Sequence, residues 1–364
     1  MSTPPRPRET VAGIPAYVAG RPPQPRAGLP VFKLSSNENP YPPLPGVVEA
    51  ATRAVEVMNR YPDMGNTALY DALADRLGVP TERIAAGTGS VAVLYHLLQA
   101  YCSPGDEVIH AWRSFEAYPI AVAAAGATSV PVPVTTDGCH DLGAMTDAVT
   151  ERTKVMVVCT PNNPTGPAIT DTELRTLLER VPGHVLVVVD EAYREFVRMS
   201  DPVEGLDLLA AHPQLVLVRT FAKAYGLAGF RVGYLVAHEE VAAAVRAVAL
   251  PFGVSSVAQA AAVASLAAEE ALLERVESVV LERERVVEGL AEQGWRVPEA
   301  QGNFVWLPLG EDALEFAAAA ELAGITVRPF AGDGVRVSVG EPEANDVFLQ
   351  VAVDWAVSRG RLAR

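Results

Sequence analysis

The hydrophobic pattern changes character twice along this chain. Apolar residues recur at helical spacing first in Val47–Asn59 and then in Ala68–Leu77, where Leu69, Leu73 and Leu77 share a face. Asn66 or Thr67 is placed to cap the second helix, and Arg60-Tyr61-Pro62-Asp63 separates the two, because proline drives the preceding residue out of the helical region. From Arg83 onward, short apolar runs alternate with helical patterns. Strands are predicted at Ile84–Ala86, Glu107–His110, Thr128–Val132, Val155–Cys159, Val185–Val189, Leu215–Val218 and Val232–Val236. Helices are predicted at Val91–Tyr101, Glu116–Ala125, Leu142–Val149 and Thr172–Arg180. The runs Val155–Cys159 and Val185–Val189 are continuously apolar rather than alternating, which predicts burial on both faces of a mostly parallel sheet between helix layers. Sheets of that kind carry their sites at the carboxyl ends of the strands.

The second change comes near Glu269, where a long charged helix runs to about Glu292. Beyond it, Asn303–Leu307 and Val335–Val339 read as strands, and Ala313–Ala323 and Asp346–Val357 as helices. The expected organisation is an α/β chain with three parts. An N-terminal arm (1–45), rich in proline and arginine, contributes to the small domain. A large domain spans 46–270, and a smaller α+β domain spans 271–364.

Composition narrows the function classes. With 49% hydrophobic and 20% charged residues in 364, the chain can bury a sizeable core. Its net charge of −15 would repel a phosphate backbone or an anionic lipid surface, so no nucleic-acid or membrane partner is expected. The longest uncharged run, Ala247–Ala268, is interrupted by Pro251 and Gly253 and reads as a loop followed by a buried alanine-rich helix. Cys102, Cys139 and Cys159 are odd in number and widely spaced, without a metal-binding pattern. They read as reduced thiols of a cytoplasmic protein, and no metal is expected.

Four features fall where strands end. Gly87-Thr88-Gly89-Ser90 opens a helix directly after a strand, a place where free N–H groups attract phosphate, although a glycine turn there is often only structural. Pro161-Asn162-Asn163-Pro164-Thr165-Gly166 follows the strand ending at Cys159. Asp190-Glu191-Ala192-Tyr193 ends the most apolar strand, where a carboxylate is costly unless a cation meets it; Asp190 could also serve merely as a cap. Lys223 is one of three lysines in the chain, follows the apolar run Leu215–Val218, and has no acidic neighbour in sequence. Held away from water, its amine loses proton affinity and can form a Schiff base with a carbonyl. Eight residues later comes Arg231, a fixed cation suited to phosphate or to a surface carboxylate. Together they outline a pocket for a phosphorylated pyridine aldehyde.

The order Asn163-Pro164-Thr165-Gly166, Asp190-Glu191-Ala192-Tyr193, then Lys223-Ala224-Tyr225-Gly226-Leu227-Ala228-Gly229-Phe230-Arg231-Val232-Gly233-Tyr234 resembles fold-type-I pyridoxal-phosphate aminotransferases. Within these it is similar to the histidinol-phosphate aminotransferase subfamily, which includes aromatic-amino-acid (phenylalanine) aminotransferases; the likeness runs from Gly13 to about Phe348. The resemblance implies pyridoxal 5′-phosphate bound through Lys223, which also shuttles a proton, with Asp190 on the pyridine nitrogen. It implies Asn163 and Tyr193 on the ring hydroxyl and Phe115 on the ring face. Gly89, Ser90, Val91 and Arg231 would hold the phosphate. It further implies a homodimer in which Tyr61 reaches the phosphate of the partner subunit, Arg336 clamping the substrate carboxylate, and Tyr17, Asn37 and Arg328 lining the substrate side. The chain departs from the pattern at Ala222, where the family usually has serine; Thr220, two residues earlier on an extended strand, could share its face and supply the hydroxyl.

The stretch Trp112-Arg113-Ser114-Phe115-Glu116-Ala117-Tyr118-Pro119 and the segment Val327-Arg328-Pro329-Phe330 resemble the aromatic branch. The leading expectation is therefore transfer of an amino group from phenylalanine, tyrosine or tryptophan to 2-oxoglutarate. Histidinol-phosphate transamination is the alternative, since Arg328 and Arg336 could serve either substrate. A phospho-amino-acid decarboxylase and a non-catalytic regulator are further readings; the intact Lys223, Asp190 and Arg231 weigh against the last.

Overall fold

The computed structural model describes residues 5–14, 17–25 and 28–360; residues 1–4, 15–16, 26–27 and 361–364, which include parts of the expected arm and the C-terminus, lie outside the described residues. The strands are β1 (Phe32–Lys33), β2 (Ile84–Gly87), β3 (Glu107–Trp112), β4 (Thr128–Pro133), β5 (Thr153–Cys159), β6 (Leu186–Asp190), β7 (Leu215–Thr220), β8 (Gly233–Val236), β9 (Phe304–Leu307), β10 (Ile325–Thr326), β11 (Arg328–Phe330) and β12 (Gly334–Ser338). Seven of them form the main sheet in the order β2-β8-β7-β6-β5-β3-β4. Pairings from β7 across to β4 are parallel, and β8 alone runs against both of its neighbours. The sheet is covered on both faces: one apolar cluster takes Met156, Val158, Val187, Val189 and Leu217, the other Val155, Val157, Val188, Val216 and Val218. Alternate residues of one strand thus point into different cores, which is why the central strands read as unbroken apolar runs.

Parallel pairing fixes where the strands end. Cys159 on β5 lies opposite Asp190 on β6, and Thr220 closes β7. Helices between and after these strands cover the two faces of the sheet. Thr170 opens Asp171–Arg180 with a reciprocal capping box to Glu173, and Ser255 accepts from Ala258 N at the start of Ser256–Ala267. At Thr67–Leu77 the cap differs from expectation. Asn66 adopts a left-handed conformation and its side chain makes no cap bond; Asp63 instead accepts from Gly65 N at 2.9 Å and Thr67 N at 2.7 Å.

The smaller core gathers Val305, Leu307, Phe316, Val335, Val337, Phe348 and Trp355 around an antiparallel sheet in the order β11-β12-β9. The arm reaches it through β1, which pairs in parallel with β10, and through Leu34. The Glu269–Glu292 helix serves both cores: Leu272, Val276, Val279 and Val280 pack under the large sheet, Val286 and Leu290 under the small one. It meets Ser256–Ala267 at an 83° bend, and among the described residues no single helix is long and apolar enough to cross a membrane.

Candidate active site

The ends of β5, β6 and β7, the start of the Ser90–Tyr101 helix, the arm and the small sheet enclose one cavity of about 420 Å³. Its wall includes Ser90, Val91, Phe115, Asn163, Asp190 and Tyr193 from the large sheet's loops and strand ends. Thr220, Lys223 and Arg231 follow from β7 and the loop after it, Arg328 and Arg336 from the small sheet, and Tyr17 from the arm. Residues separated by up to 319 positions are thereby brought to one space.

Lys223 stands on the tight segment after β7. Its Nζ donates to the carbonyls of Ser36 and Asn37, each at 3.2 Å, and lies 5.5 Å from the centroid of the Tyr193 ring. No carboxylate forms an ion pair with it among the described residues. Burial first, then the nearby Arg336, lowers its pKa from 10.5 to about 7. Asp190 is in the complementary position: burial raises its pKa, against the pull of two donors, the Tyr118 hydroxyl at 2.8 Å and Ala192 N at 3.2 Å. No cationic side chain forms an ion pair with this carboxylate among the described residues.

The mouth of the Ser90–Tyr101 helix is built for close approach. A Cβ on Gly233 would come within 2.3 Å of Ser90 N, and one on Gly89, whose φ is +85°, within 2.7 Å of the Arg231 guanidinium. No side chain caps the helix. Arg231 donates to Ala228 O at 3.1 Å and has no ion pair among the described residues, so a cation and free helix-start amides face the same point.

On the opposite wall Arg336 donates to Asn163 Oδ1 at 2.5 Å and Ser35 O at 2.9 Å, while its buried Nε has no partner. Its neighbour Arg328 is neutralised: Nη2 lies 2.6 Å from Glu116 Oε2. Phe115 and Tyr17 meet edge to face at 6.5 Å.

Three of the sequence-predicted residues are not on the cavity wall. Gly89 lies immediately behind it, against Arg231. Asn37 is fully buried; its Nδ2 donates to the Tyr193 hydroxyl at 3.0 Å and its Oδ1 accepts from Ser338, so it supports Tyr193 and Lys223 from behind. Tyr61 is 82% exposed, stacked on Phe252 with ring centroids 4.6 Å apart, and contributes nothing to this chain's own cavity.

Residues 30–351 match the family model described as aminotransferase class I and II. The chain belongs to the class I and II aminotransferases. It is 59% identical over 349 residues to a protein of Streptomyces avermitilis named aromatic amino acid aminotransferase, covering 96% of this chain and 97% of that one. It is 57% identical to one of the same name from Streptomyces coelicolor, covering 97% and 98%. Among solved structures, histidinol-phosphate aminotransferase from Sinorhizobium meliloti in complex with pyridoxal-5′-phosphate superposes with a TM-score of 0.88 at 26% identity, over 98% of this chain and 99% of that one. An aspartate aminotransferase from Thermus thermophilus with maleate gives 0.80 at 27%, over 90% and 92%. The α/β architecture and mostly parallel sheet expected from the sequence are those of this aminotransferase family.

In this aminotransferase the site also uses residues that the motifs do not single out. Tyr118, 1% exposed, contacts Asp190 across 72 residues of sequence, and Glu116 reaches Arg328 across 212. Both belong to the Trp112–Pro119 stretch, but only as members of a resembling segment; their partners are visible in three dimensions alone. Behind the wall, Glu191 and Arg219 form a buried pair at 2.6 Å that ties the end of β6 to β7.

Proposed function

We propose that this protein is a pyridoxal-phosphate aminotransferase that moves the amino group of an aromatic amino acid to 2-oxoglutarate. The observation that carries the reading is the single cavity that joins four unmatched groups: the weakly basic Lys223 amine, the buried Asp190 carboxylate, Arg231 at a bare helix start, and Arg336 with an unpartnered Nε. Each is costly alone in a folded protein, and one phosphorylated, ring-protonated aldehyde plus a substrate carboxylate would satisfy all four.

The residues present fit that cofactor. Ser90, Val91 and Arg231 would hold its phosphate, Asp190 its ring nitrogen, Asn163 and Tyr193 its ring hydroxyl, and Phe115 its face. When bound, the cofactor supplies an aldehyde carbon that exchanges amino groups and a ring that takes up the electron pair left at the substrate α-carbon. Lys223 Nζ, with a pKa of about 7, is neutral in half of the cofactor-free molecules at neutral pH and can accept and return a proton. Tyr118 and Ala192 N hold the Asp190 carboxylate in place by donating to its two oxygens. Arg336, clamped by Asn163 and Ser35, presents its remaining N–H edge to a carboxylate. Phe115, Phe330 and Ile120 keep water from the side-chain end.

Two observations favour an aromatic over a phosphorylated substrate: these apolar walls, and the cancellation of Arg328 by Glu116, which leaves no second free cation for a phosphate. The names of the relatives at 57–59% identity support the same choice. We further propose a homodimer with shared sites, in which Tyr61 of the partner subunit completes the phosphate end. Its support is an exposed apolar surface around Tyr61, with Met58 77%, Met64 62% and Leu250 66% exposed.

The test is an absorbance titration of the cofactor-loaded protein with phenylalanine, tyrosine and tryptophan, coupled to detection of the aromatic 2-oxo acid and of glutamate formed from 2-oxoglutarate. Loss of the visible band with product formation is expected. A tenfold or greater kcat/KM preference for histidinol phosphate would reverse the substrate assignment.

A further inference from the structure

Among the charged groups on the cavity wall, the cations are Lys223, Arg231, Arg328 and Arg336, and the anions are Asp190 and Glu116. Under the proposed function, on which the inference rests, Asp190 meets the cofactor ring, Arg231 its phosphate and Arg336 the α-carboxylate common to every amino-acid donor. Arg328 is then the one cation left to face the substrate side chain, and Glu116 is what silences it. The pair is well placed: Arg328 is only 9% exposed on its side chain, its Nη2 lies 2.6 Å from Glu116 Oε2, and its guanidinium sits 5.3 Å from the Phe330 ring centroid. Glu116 follows Phe115 directly and stands at the entry of the Ala117–Ala125 helix, so the residue that walls the cavity and the residue that sets its charge move as one piece of backbone.

The pair also marks a border. A second cavity of about 530 Å³, between the arm and the Ala313–Leu322 helix, shares Glu116, Arg328 and Phe330 with the first. The remaining charged groups on that second wall are Arg21, Arg113 and Glu321, and Arg113 is committed to Asp333. Arg328 therefore has Glu116 as its one anionic partner among the described residues.

We propose that Glu116 is a specificity-determining residue: by pairing with Arg328 it leaves the side-chain end of the substrate cavity neutral for an aromatic side chain, and makes the side-chain carboxylate of glutamate or 2-oxoglutarate compete with Glu116 for Arg328, which tempers rather than bars their binding. A partly buried guanidinium without its carboxylate attracts whatever anion can reach it. Deleting the charge of Glu116 should hand that role to the substrate.

Glu116→Gln keeps the shape and removes the charge. Phenylalanine and glutamate share the α-carboxylate, so the ratio of their kcat/KM values reads the side-chain end alone. The variant should shift that ratio toward glutamate by tenfold or more, about 1.4 kcal/mol, chiefly through a lower KM for glutamate. Arg328→Met in the Glu116→Gln background removes the freed cation, and the ratio should return toward phenylalanine. Cofactor titration of both variants checks that the cavity is intact. An equal fall in kcat/KM for both donors, or a ratio that stays shifted in the double variant, would overturn the proposal. Absence of aromatic turnover in the unaltered protein would instead defeat the functional reading beneath it.

Discussion

The Lys223 amine is the sharpest quantitative consequence of this structure. In the cofactor-free protein its pKa stands at about 7, against 10.5 for the ordinary side chain, because burial disfavours the ammonium and Arg336 and Arg231 repel it. At pH 7 about half of the amine is neutral, against roughly one part in three thousand for the same side chain in an unfolded chain. Lower basicity also lowers nucleophilicity; with a Brønsted sensitivity of about 0.45, as for thiolates, the loss is roughly 40-fold. The net expectation is that cyanate carbamylates Lys223 at pH 7 a few tens of times faster in the folded cofactor-free protein than in urea. Its rate should level off above a midpoint near pH 7. With three lysines in the chain, peptide mass spectrometry resolves each one. The same shift affects stability, and its sign can be worked out. The folded value lies below the unfolded one, so the unfolded chain binds more protons between pH 7 and 10.5, and stability rises with pH across that window. The cost is present in full below pH 7 and fades toward 10.5. Lys223→Met should accordingly stabilise the cofactor-free protein at pH 6, by at most about 4–5 kcal/mol, with the advantage shrinking as pH rises. A labelling midpoint at pH 9 or above, or a stability difference that does not change with pH, refutes the reasoning.

Other consequences are as direct. Tyr118→Phe removes the hydroxyl that donates to Asp190 Oδ2 at 2.8 Å, which lets burial raise the Asp190 pKa further. A hydrogen bond to a charged group is worth about 1.5–3 kcal/mol, so cofactor affinity and kcat/KM should each fall by at least tenfold, with the low-pH limb of the rate profile moved upward. Ala222→Ser places a hydroxyl on the cavity wall beside Thr220, whose own Oγ1 accepts from Ala222 N at 3.1 Å, and should tighten pyridoxal phosphate by about 1 kcal/mol in a fluorescence titration. Arg219→Met strands Glu191, 2% exposed, without its close partner and should cost about 3–5 kcal/mol, lowering the apparent melting temperature by roughly 5–10 °C. Glu191→Leu in the same chain should recover most of that loss.

How much of this the sequence carried depends on the range of the interaction. The central strands were legible because burial on both faces leaves a run such as Leu186-Val187-Val188-Val189 with no polar alternation. Their carboxyl ends were legible because polar residues reappear there, at Asp190 and after Cys159 and Val218. The smallest strands were not: β1 and β10 have two residues each and β11 three with a central proline, too few for any period to show. The Glu239–Val248 helix also goes unnoticed, although its signals are present: His238 and two glutamates open it, and Val241, Ala242 and Val245 are buried at helical spacing. Most of the motif residues gather around one cavity, yet local pattern cannot say which of them touch it. The resemblance places Asn37 on the substrate side, but it is wholly buried, with its side-chain amide bonded to Tyr193 and Ser338. Glu116 and Arg328 are unremarkable as sequence neighbours of aromatic residues; their meaning arises only from the 2.6 Å between them.

The electrostatics of the cavity then form one system rather than a set of separate sites. Beyond burial, Arg336 and Arg231 both hold the Lys223 amine down, and under the proposed function they are also the groups that would receive a carboxylate and a phosphate. An anion on either one cancels part of the repulsion that Lys223 feels, so anion binding in the cofactor-free protein should return proton affinity to the amine. Inorganic phosphate should therefore raise the carbamylation midpoint of Lys223 in the cofactor-free protein, and Arg231→Met should abolish that response while itself raising the midpoint. A midpoint indifferent to phosphate in the unaltered chain would mean that burial, and not the two arginines, accounts for the whole depression.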